Sequence, residues 1–435
     1  MLYLLGVLVV FVGIAVSIAL HEIGHLVPAK LFKVRVTQYM VGFGPTLWSR
    51  TRGETEYGVK AIPLGGYIRM IGMFPPRAGD GGRLRASSSN PLHLMVEQAR
   101  EESLEEVGPG DEDRVFYRLP VWKRIVVMSG GPLMNLALSF GLVTMLVLGP
   151  GIPAATSTIG QVSTCVNEDV TSEDCAGQPP SPAVAAGLQA GDTIVSVGGE
   201  RVHDWSDTMF AIQNAGGTTE FVIERDGAEQ TLTADLVQRE RTLVEADGTP
   251  VRDADGEPVT GEVWFLGASP EVVELGPVAA TAEMFTGTAG IVLTLPQRMV
   301  DVAQAAFGTE ARDPNGPMSV VGVGRVAGEV THDGLDGLVE TAQDRFWLLV
   351  SLLASLNMAL FVFNLIPLLP LDGGHIAGAS WEGVKKTWAR VFRRPAPGPV
   401  DTAAALPVAY AVALGLLGMT VLLIYADIVR PVQIG

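Results

Sequence analysis

The sequence predicts an α-helical polytopic membrane protein with four transmembrane helices, a strand-rich segment on the cytoplasmic side and an inserted extracytoplasmic α+β domain. Three observations predict it. Four stretches, 1–20, 125–150, 346–371 and 402–426, contain no Asp, Glu, Lys or Arg, and each can cross ~30 Å of hydrocarbon. The net charge of −17 is unevenly spread: residues 27–124 hold 15 Lys/Arg, 151–340 hold 30 Asp/Glu against 8 Arg, and 373–401 hold five Lys/Arg. Lys and Arg gather at the cytoplasmic ends of spans, so the N-terminus and 151–340 are expected outside, and 27–124 and 373–401 inside. Thirdly, the apolar blocks give way between spans to short, turn-punctuated alternating runs.

Taken in order, residues 1–33 form the first helix. Ser17 and Ala19 offer a small-x-small cleavage pattern, but no Lys or Arg precedes the apolar run and cleavage would leave "HEIGH" at a new N-terminus, which argues against a signal peptide. Residues 34–74 mix β-branched and aromatic residues with glycine turns and predict strands. Residues 75–120 are polar and turn-rich, a flexible loop with one short helix at most, with His93 in solvent. The second helix occupies 121–150. The run "SPAVAAGLQAGDTIVSVGGERVHDWSD" (181–207) and the hairpin signal Asp226–Gly227 predict a small α+β module over 151–240, with His203 facing solvent. A turn-rich hairpin is expected over 241–275. "MFTGTAGIVLTLPQ" (284–297) is bounded by Glu283 and Arg298 and is too short to span, so 276–344 reads as an amphipathic, interfacial segment. The third helix covers 345–375, a basic loop 376–401 and the fourth helix 402–435. The two cysteines, Cys165 and Cys175, fall outside, where they form either a disulfide worth roughly 2–3 kcal/mol or two free thiols.

The chemistry is concentrated in "HEIGH", residues 21–25. Positions i and i+4 share a helix face, so His21 and His25 can aim at one ion while Glu22 lies beside it. In that arrangement zinc lowers the pKa of a bound water to about 7 and the glutamate takes its proton. Ionisable groups at membrane depth are costly and usually functional, which weighs against two structural histidines at a helix end. A third ligand is needed. Asp372, in "NLIPLLPLDGGH" (364–375), ends the third apolar segment on the same side of the membrane as HEIGH; the alternative is a turn or N-cap aspartate. His375 beside it is not expected to ligate, and His332 is expected at the surface.

HExxH in the first span, Asn-x-x-Pro and Leu-Asp-Gly in the third, and an outside domain between spans two and three resemble the site-2 proteases, in particular the RseP-type branch. "SGGPLMN" (129–135) is similar to that family's Gly-Pro-x-x-Asn motif, "SPAVAAGLQAGDTIVSVGGERV" to bacterial PDZ domains, and "GPMSVVGVG" (316–324) to the lead-in to the third span. The resemblance implies a zinc endopeptidase of bacterial cytoplasmic membranes in which His21, His25 and Asp372 bind Zn2+ and Glu22 is the general base. It implies that Asn364 and Asn135 hold substrate or an oxyanion, with helix packing as the alternative. It also implies that 34–74 is a β-sheet dipping into the membrane, with Gly65, Gly66, Tyr67 and Ile68 meeting an extended substrate. Single-pass membrane proteins such as anti-sigma factors, already trimmed outside, are the implied substrates, and newly exposed C-termini the implied PDZ ligands. The bilayer is the other partner, and no nucleic acid is expected. One departure stands out: a single PDZ module, as in actinobacterial-type homologues, where better-known members carry two. A PDZ scaffold with a vestigial metal centre is disfavoured because Glu22 and all three ligands are present. A zinc transporter is disfavoured because it would need metal-coordinating residues continuing across the membrane, and spans two and four offer none beyond Asn135.

Overall fold

The computed structural model describes residues 2–76, 91–166, 175, 177–244, 248, 250–251, 258–308, 312, 316–332, 341–395 and 397–432. Two compact units emerge, one of Met1–Leu146, Pro277–Ala303 and Pro314–Gly435, the other of Val147–Gly276 and Gln304–Asp313.

The first unit opens with α1 (Leu2–Leu31), an unbroken apolar helix with Pro28 in its last turn. Two long antiparallel strands follow, β1 (Val36–Arg52) and β2 (Thr55–Met70). Each bends on itself. Residues 38–41 pair with 66–69 on one side and with 56–59 on the other, while 46–52 pairs with 55–60. The two strands therefore make four rungs, with Gly66–Met70 at one border; among the described residues no strand pairs with its outer edge. The expected flexible loop contains one α-helix among its described residues. Helix α2 (Pro91–Glu105) runs fifteen residues, whereas 77–90 and the side chain of His93 lie outside the described residues. Helix α3 (Val121–Leu148) follows, with Pro132 inside it.

The second unit is an antiparallel sheet with two small helices. Its strands are β3 (Pro153–Val162), β4 (Thr193–Val197), β5 (Glu200–Arg201), β6 (Thr218–Arg225), β7 (Ala228–Asp235), β8 (Val237–Thr242), β9 (Thr260–Phe265) and β10 (Ala268–Glu274). The main sheet runs β10-β3-β4-β6-β7, with β5 on β4, and β8–β9 form a separate ribbon. The hairpin expected over 241–275 is thus corrected at both ends. It begins at Val237, and 268–274 leaves it to pair with β3, so the last strand of the main sheet comes from beyond the ribbon. Helices α4 (Pro182–Ala185) and α5 (Trp205–Gln213) are capped by Ser181 and Asp204, which accept from the amides of Val184 and Asp207. They cover a core of Ile159, Leu188, Ile194, Phe221 and Ile223. Asp226 and Gly227, both at positive φ, make the tight β6–β7 turn that a twisted hairpin favours. His203 is exposed, and Cys165 and Cys175 are joined, with Cα atoms 5.7 Å apart.

The chain returns to the first unit through α6 (Pro277–Phe307), α7 (Val320–His332), α8 (Ala342–Asn364), α9 (Asp372–Val391) and α10 (Leu406–Val429). Two expectations change here. Residues 284–297 lie inside a 31-residue helix that runs through Glu283 and Arg298, so that five helices among the described residues are long and apolar enough to cross a membrane. Residues 376–401, expected as a loop, mostly belong to the 20-residue helix α9. Its glycines at 373, 374, 378 and 383 masked a helical repeat of large apolar residues. The side chain of His332 lies outside the described residues.

Polar contacts tie the helices together inside their apolar surroundings. Asn357 on α8 donates to Ser17 Oγ on α1 at 3.0 Å, and Ser139 on α3 donates to the Ala354 carbonyl at 2.9 Å. Each such bond is worth about 0.6 kcal/mol in a membrane. At the end of α3, Arg124 reaches Glu382 of α9 at 2.5 Å, and Glu382 also holds Lys386 and the amide of Val400.

In the second unit, Asp192 is buried and receives Arg225 Nε and Nη2 at 2.6 and 2.7 Å, together with the amide of Gln189. Burial pushes its carboxyl up, but the Arg225 and Gln189 hydrogen bonds outweigh it and hold the group below the usual carboxylate range. A carboxylate lowered in the folded state contributes stability above its unfolded value of about 4 and loses it as pH falls through the folded value. Arg225→Ala is expected to destabilise this unit, because it leaves the buried Asp192 carboxylate without its cation, and to reduce that acid-linked loss. Hydrogen exchange of the β4 and β6 amides against pH measures both.

Candidate metal centre

His21 and His25 lie one turn apart on α1, and the turn that follows α8 brings Asp372 to them. The Nε2 atoms of the two histidines are 3.2 Å apart, and Asp372 Oδ2 is 3.3 Å from His21 Nε2 and 3.2 Å from His25 Nε2. Donor atoms at zinc–ligand lengths of about 2.0–2.1 Å around a tetrahedral ion stand ~3.3 Å from one another. The observed triangle has that size. Asp372 Oδ2 is buried, with no directed hydrogen bond among the described residues. Three lone-pair atoms converge on one point, which fits a cation and little else.

The backbone of α3 makes the space. A methyl group at Gly130 would lie 2.0 Å from the Gly24 carbonyl, so α1 and α3 meet backbone to backbone at this level. One residue on, a Cβ at Gly131 would stand 2.2 Å from His25 Nε2 and 2.6 Å from His21 Nε2. Glycine at 131 therefore keeps open the pocket into which both imidazoles point.

The other imidazole nitrogens are held as metal-binding histidines require. His25 Nδ1 donates to the Val127 carbonyl at 2.8 Å, leaving the Nε2 lone pair free. His21 Nδ1 lies 3.0 Å from the side-chain amide of Asn135, which is fully buried. That amide has a second buried atom without a partner. Since amide O and N are assigned from the hydrogen-bond network, turning the group so that Oδ1 accepts from Nδ1–H frees the His21 Nε2 lone pair as well.

Glu22 is 8% exposed and points to the sheet. A Cβ at Gly66 would meet Glu22 Cγ at 2.8 Å, and the peptide of Ile68 hydrogen bonds its carboxylate. Gly65, Gly66, Tyr67 and Ile68 thus run past Glu22 on the strand at the open sheet border, with the Tyr67 ring stacked on Phe43. The remaining expected site residues are placed differently. Asn135 touches His21 and has no open surface, and Asn364 donates to the Leu360 carbonyl within its own helix at 3.0 Å. His375 lies outside the triangle and lines a small cavity with Arg124, Tyr117 and Thr402. Glu382 was missed; its only signal is a lone acid just ahead of the lysines and arginines of 385–394.

With this geometry in place, comparison with known proteins is direct. The model of peptidase family M50 matches residues 9–394. The zinc metalloprotease Rip1 of Mycobacterium tuberculosis is 32% identical over 447 residues, covering all of both chains. Rip1 of Mycolicibacterium smegmatis is 32% identical over 455 residues, again covering all of both. The metalloprotease MmpA of Caulobacter vibrioides is 27% identical, covering 88% of this chain and 89% of its own.

Two substitutions probe the centre through metal affinity alone. Gly131→Ala is expected to abolish high-affinity zinc uptake, whereas Gly141→Ala on the same helix, which faces open space, leaves it unchanged. Asn135→Leu is expected to weaken zinc by about 10–100-fold, the usual cost of losing a ligand's outer partner. Competition with a chromogenic chelator on the purified chain reads both.

Proposed function

The chain belongs to peptidase family M50, the site-2 proteases, as a multi-pass membrane zinc metalloprotease, and on that premise we propose that it cuts single-pass membrane proteins within or near their transmembrane segment. The observation that carries this reading is the His21–His25–Asp372 triangle, with Glu22 and an open strand border beside it. Zinc, when bound, supplies a Lewis acid that activates water and polarises the scissile carbonyl. His21, His25 and Asp372 would hold the ion, and the Val127 carbonyl and Asn135 would fix the histidine tautomers. Glu22 takes the proton of the attacking water and returns it to the leaving amine.

Substrate presentation follows from the sheet. A helix in lipid keeps its peptide groups bonded to one another, so its bonds must be opened before hydrolysis. The free border at Gly66–Met70 supplies replacement N–H and C=O partners by strand addition, beside Glu22. The substrates are of anti-sigma-factor type, first trimmed outside, and the act is regulated intramembrane proteolysis in stress signalling. The inserted unit is a PDZ-type module that binds newly exposed C-termini or excludes untrimmed chains.

The topology that fits is four crossings, by α1, α3, α8 and α10, with the N-terminus and the inserted unit outside. The first turns of α3 and the end of α8 both adjoin the metal centre, so residues 148 and 342 share the opposite face. A crossing by α6 would require a return before 342. Helix α7, at 13 residues, reaches about 20 Å, short of the ~30 Å needed.

Glu22→Gln is expected to bind zinc normally and lose cleavage by at least ~100-fold. In cells lacking the native copy, trimmed single-pass fragments should accumulate with this variant and vanish with the wild type. Matching membrane proteomes under several stresses would overturn the assignment. Proline substitutions along 66–70 should impair cleavage of a membrane substrate while zinc binding persists, because proline removes the N–H that strand addition needs.

A further inference from the structure

The face of α9 turned away from the protein carries Trp381, Val384, Trp388, Val391 and Phe392, each more than half exposed. Their spacing of three, four, three and one residues puts them on one side of the helix, and Trp388 and Phe392 pack ring to ring at 4.4 Å. The other side is committed. Ala379, Glu382 and Ala389 are buried, and Glu382 is locked to Arg124.

Contiguous exposed apolar surface of this kind marks an interaction site, and its surroundings identify the occupant. Helix α9 is tethered at both ends to helices that cross the bilayer, by residues 365–371 after α8 and 392–405 before α10. It therefore cannot leave the membrane surface. Residues 373–401 hold five cations against two acids. Glu382 is bound by Arg124 and Lys386, and Asp401 by Arg100. Among the described residues Lys385, Arg390, Arg393 and Arg394 have no acidic partner. Tryptophans on an apolar stripe with unpaired cations beside it are the composition of a helix lying in the headgroup region.

We propose that α9 lies in the plane of an anionic bilayer surface, its Trp381–Phe392 stripe among the acyl chains below the headgroups and its four unpaired cations on lipid phosphates. The helix whose first residue is Asp372 is then seated on lipid. This inference rests on α8 and α10 crossing the membrane and not on proteolysis.

The test uses the full chain in nanodiscs of phosphatidylcholine, with or without phosphatidylglycerol, and with lipids brominated at shallow acyl positions. The emission difference between wild type and the Trp381→Phe/Trp388→Phe variant isolates these two of the seven tryptophans. The expected result is that bromolipid removes more than half of this difference signal and aqueous iodide removes little. Replacing Lys385, Arg390, Arg393 and Arg394 by Gln should cancel the extra quenching that phosphatidylglycerol gives. Quenching by iodide alone would place the stripe in water and overturn the proposal. Protection from both quenchers would mean a protein partner or a second copy covers it, which also overturns it. Quenching indifferent to phosphatidylglycerol and to the four substitutions would overturn the headgroup contact. Trp122 and Trp347, on α3 and α8, report separately whether the crossing helices are embedded.

Discussion

Everything at the centre depends on three lone-pair atoms held ~3.2–3.3 Å apart where water is scarce. With neither a cation nor a proton between them, a carboxylate oxygen and two imidazole nitrogens would repel one another, and the cost would grow as the surroundings become less polar. The helices are arranged to hold them there. The Gly24–Gly130 contact sets how closely α1 and α3 approach, Gly131 clears the volume between the imidazoles, and the Arg124–Glu382 pair anchors α9 to the base of α3. A buried ion pair of this kind adds little net stability but fixes geometry, because removing one partner strands a charge. Its use here is positional: it joins residues 258 apart in sequence and so fixes where Asp372 stands relative to His21 and His25.

The proposed hydrolysis within the membrane poses a second problem, for which the sheet is the proposed answer. Glu22 lies under the peptide of Ile68, and the strand carrying that peptide has a free outer edge. Its inner edge is paired with β1, so under the proposed function the outer edge both orients the base and offers backbone partners to an extended chain. The exposed Phe43, Leu47, Trp48 and Ile62 along the same two strands are what lipid contact demands of such a sheet and what water would penalise.

How much of this was legible in the sequence depended on distance along the chain. The His21–His25 pair is a local repeat of four directly after an uncharged run of twenty residues, so spacing alone brought it to one helix face. Asp372 was reached by topology, since charge asymmetry put both segments at the same side of the membrane. Asn135 was visible as a polar residue in an apolar span, but its contact with His21 Nδ1 depends on the register of α1 against α3, which no local pattern encodes. Arg124 and Glu382 look like unrelated surface charges until the fold buries them together. Helix α9 was hidden by its glycines, which lower helix propensity by about 1 kcal/mol each, although tertiary packing on one face overrides that penalty. The extent of α6 differs from the expectation because Glu283 and Arg298 look like boundaries, whereas a long helix tolerates isolated charges whose side chains reach a polar surface.

The three proposed ligands are divided unevenly between rigid and adjustable parts of the chain. His21 and His25 belong to one turn of a long helix and move together. Asp372 begins a separate helix reached through a proline-broken turn, so the third bond is the one that must be brought in. A bound ion would do more than supply chemistry, because His21, His25 and Asp372 would hold it between α1 and α9 and its binding free energy would become part of the stability of that junction. The Arg124–Glu382 pair acts on the same junction from the other side. It holds α9 near its bound position before the ion arrives, which lowers the ordering cost that the third ligand would otherwise impose. A centre built this way needs a supported α9, and the support comes from α3 beneath the helix and from whatever surface receives its apolar stripe.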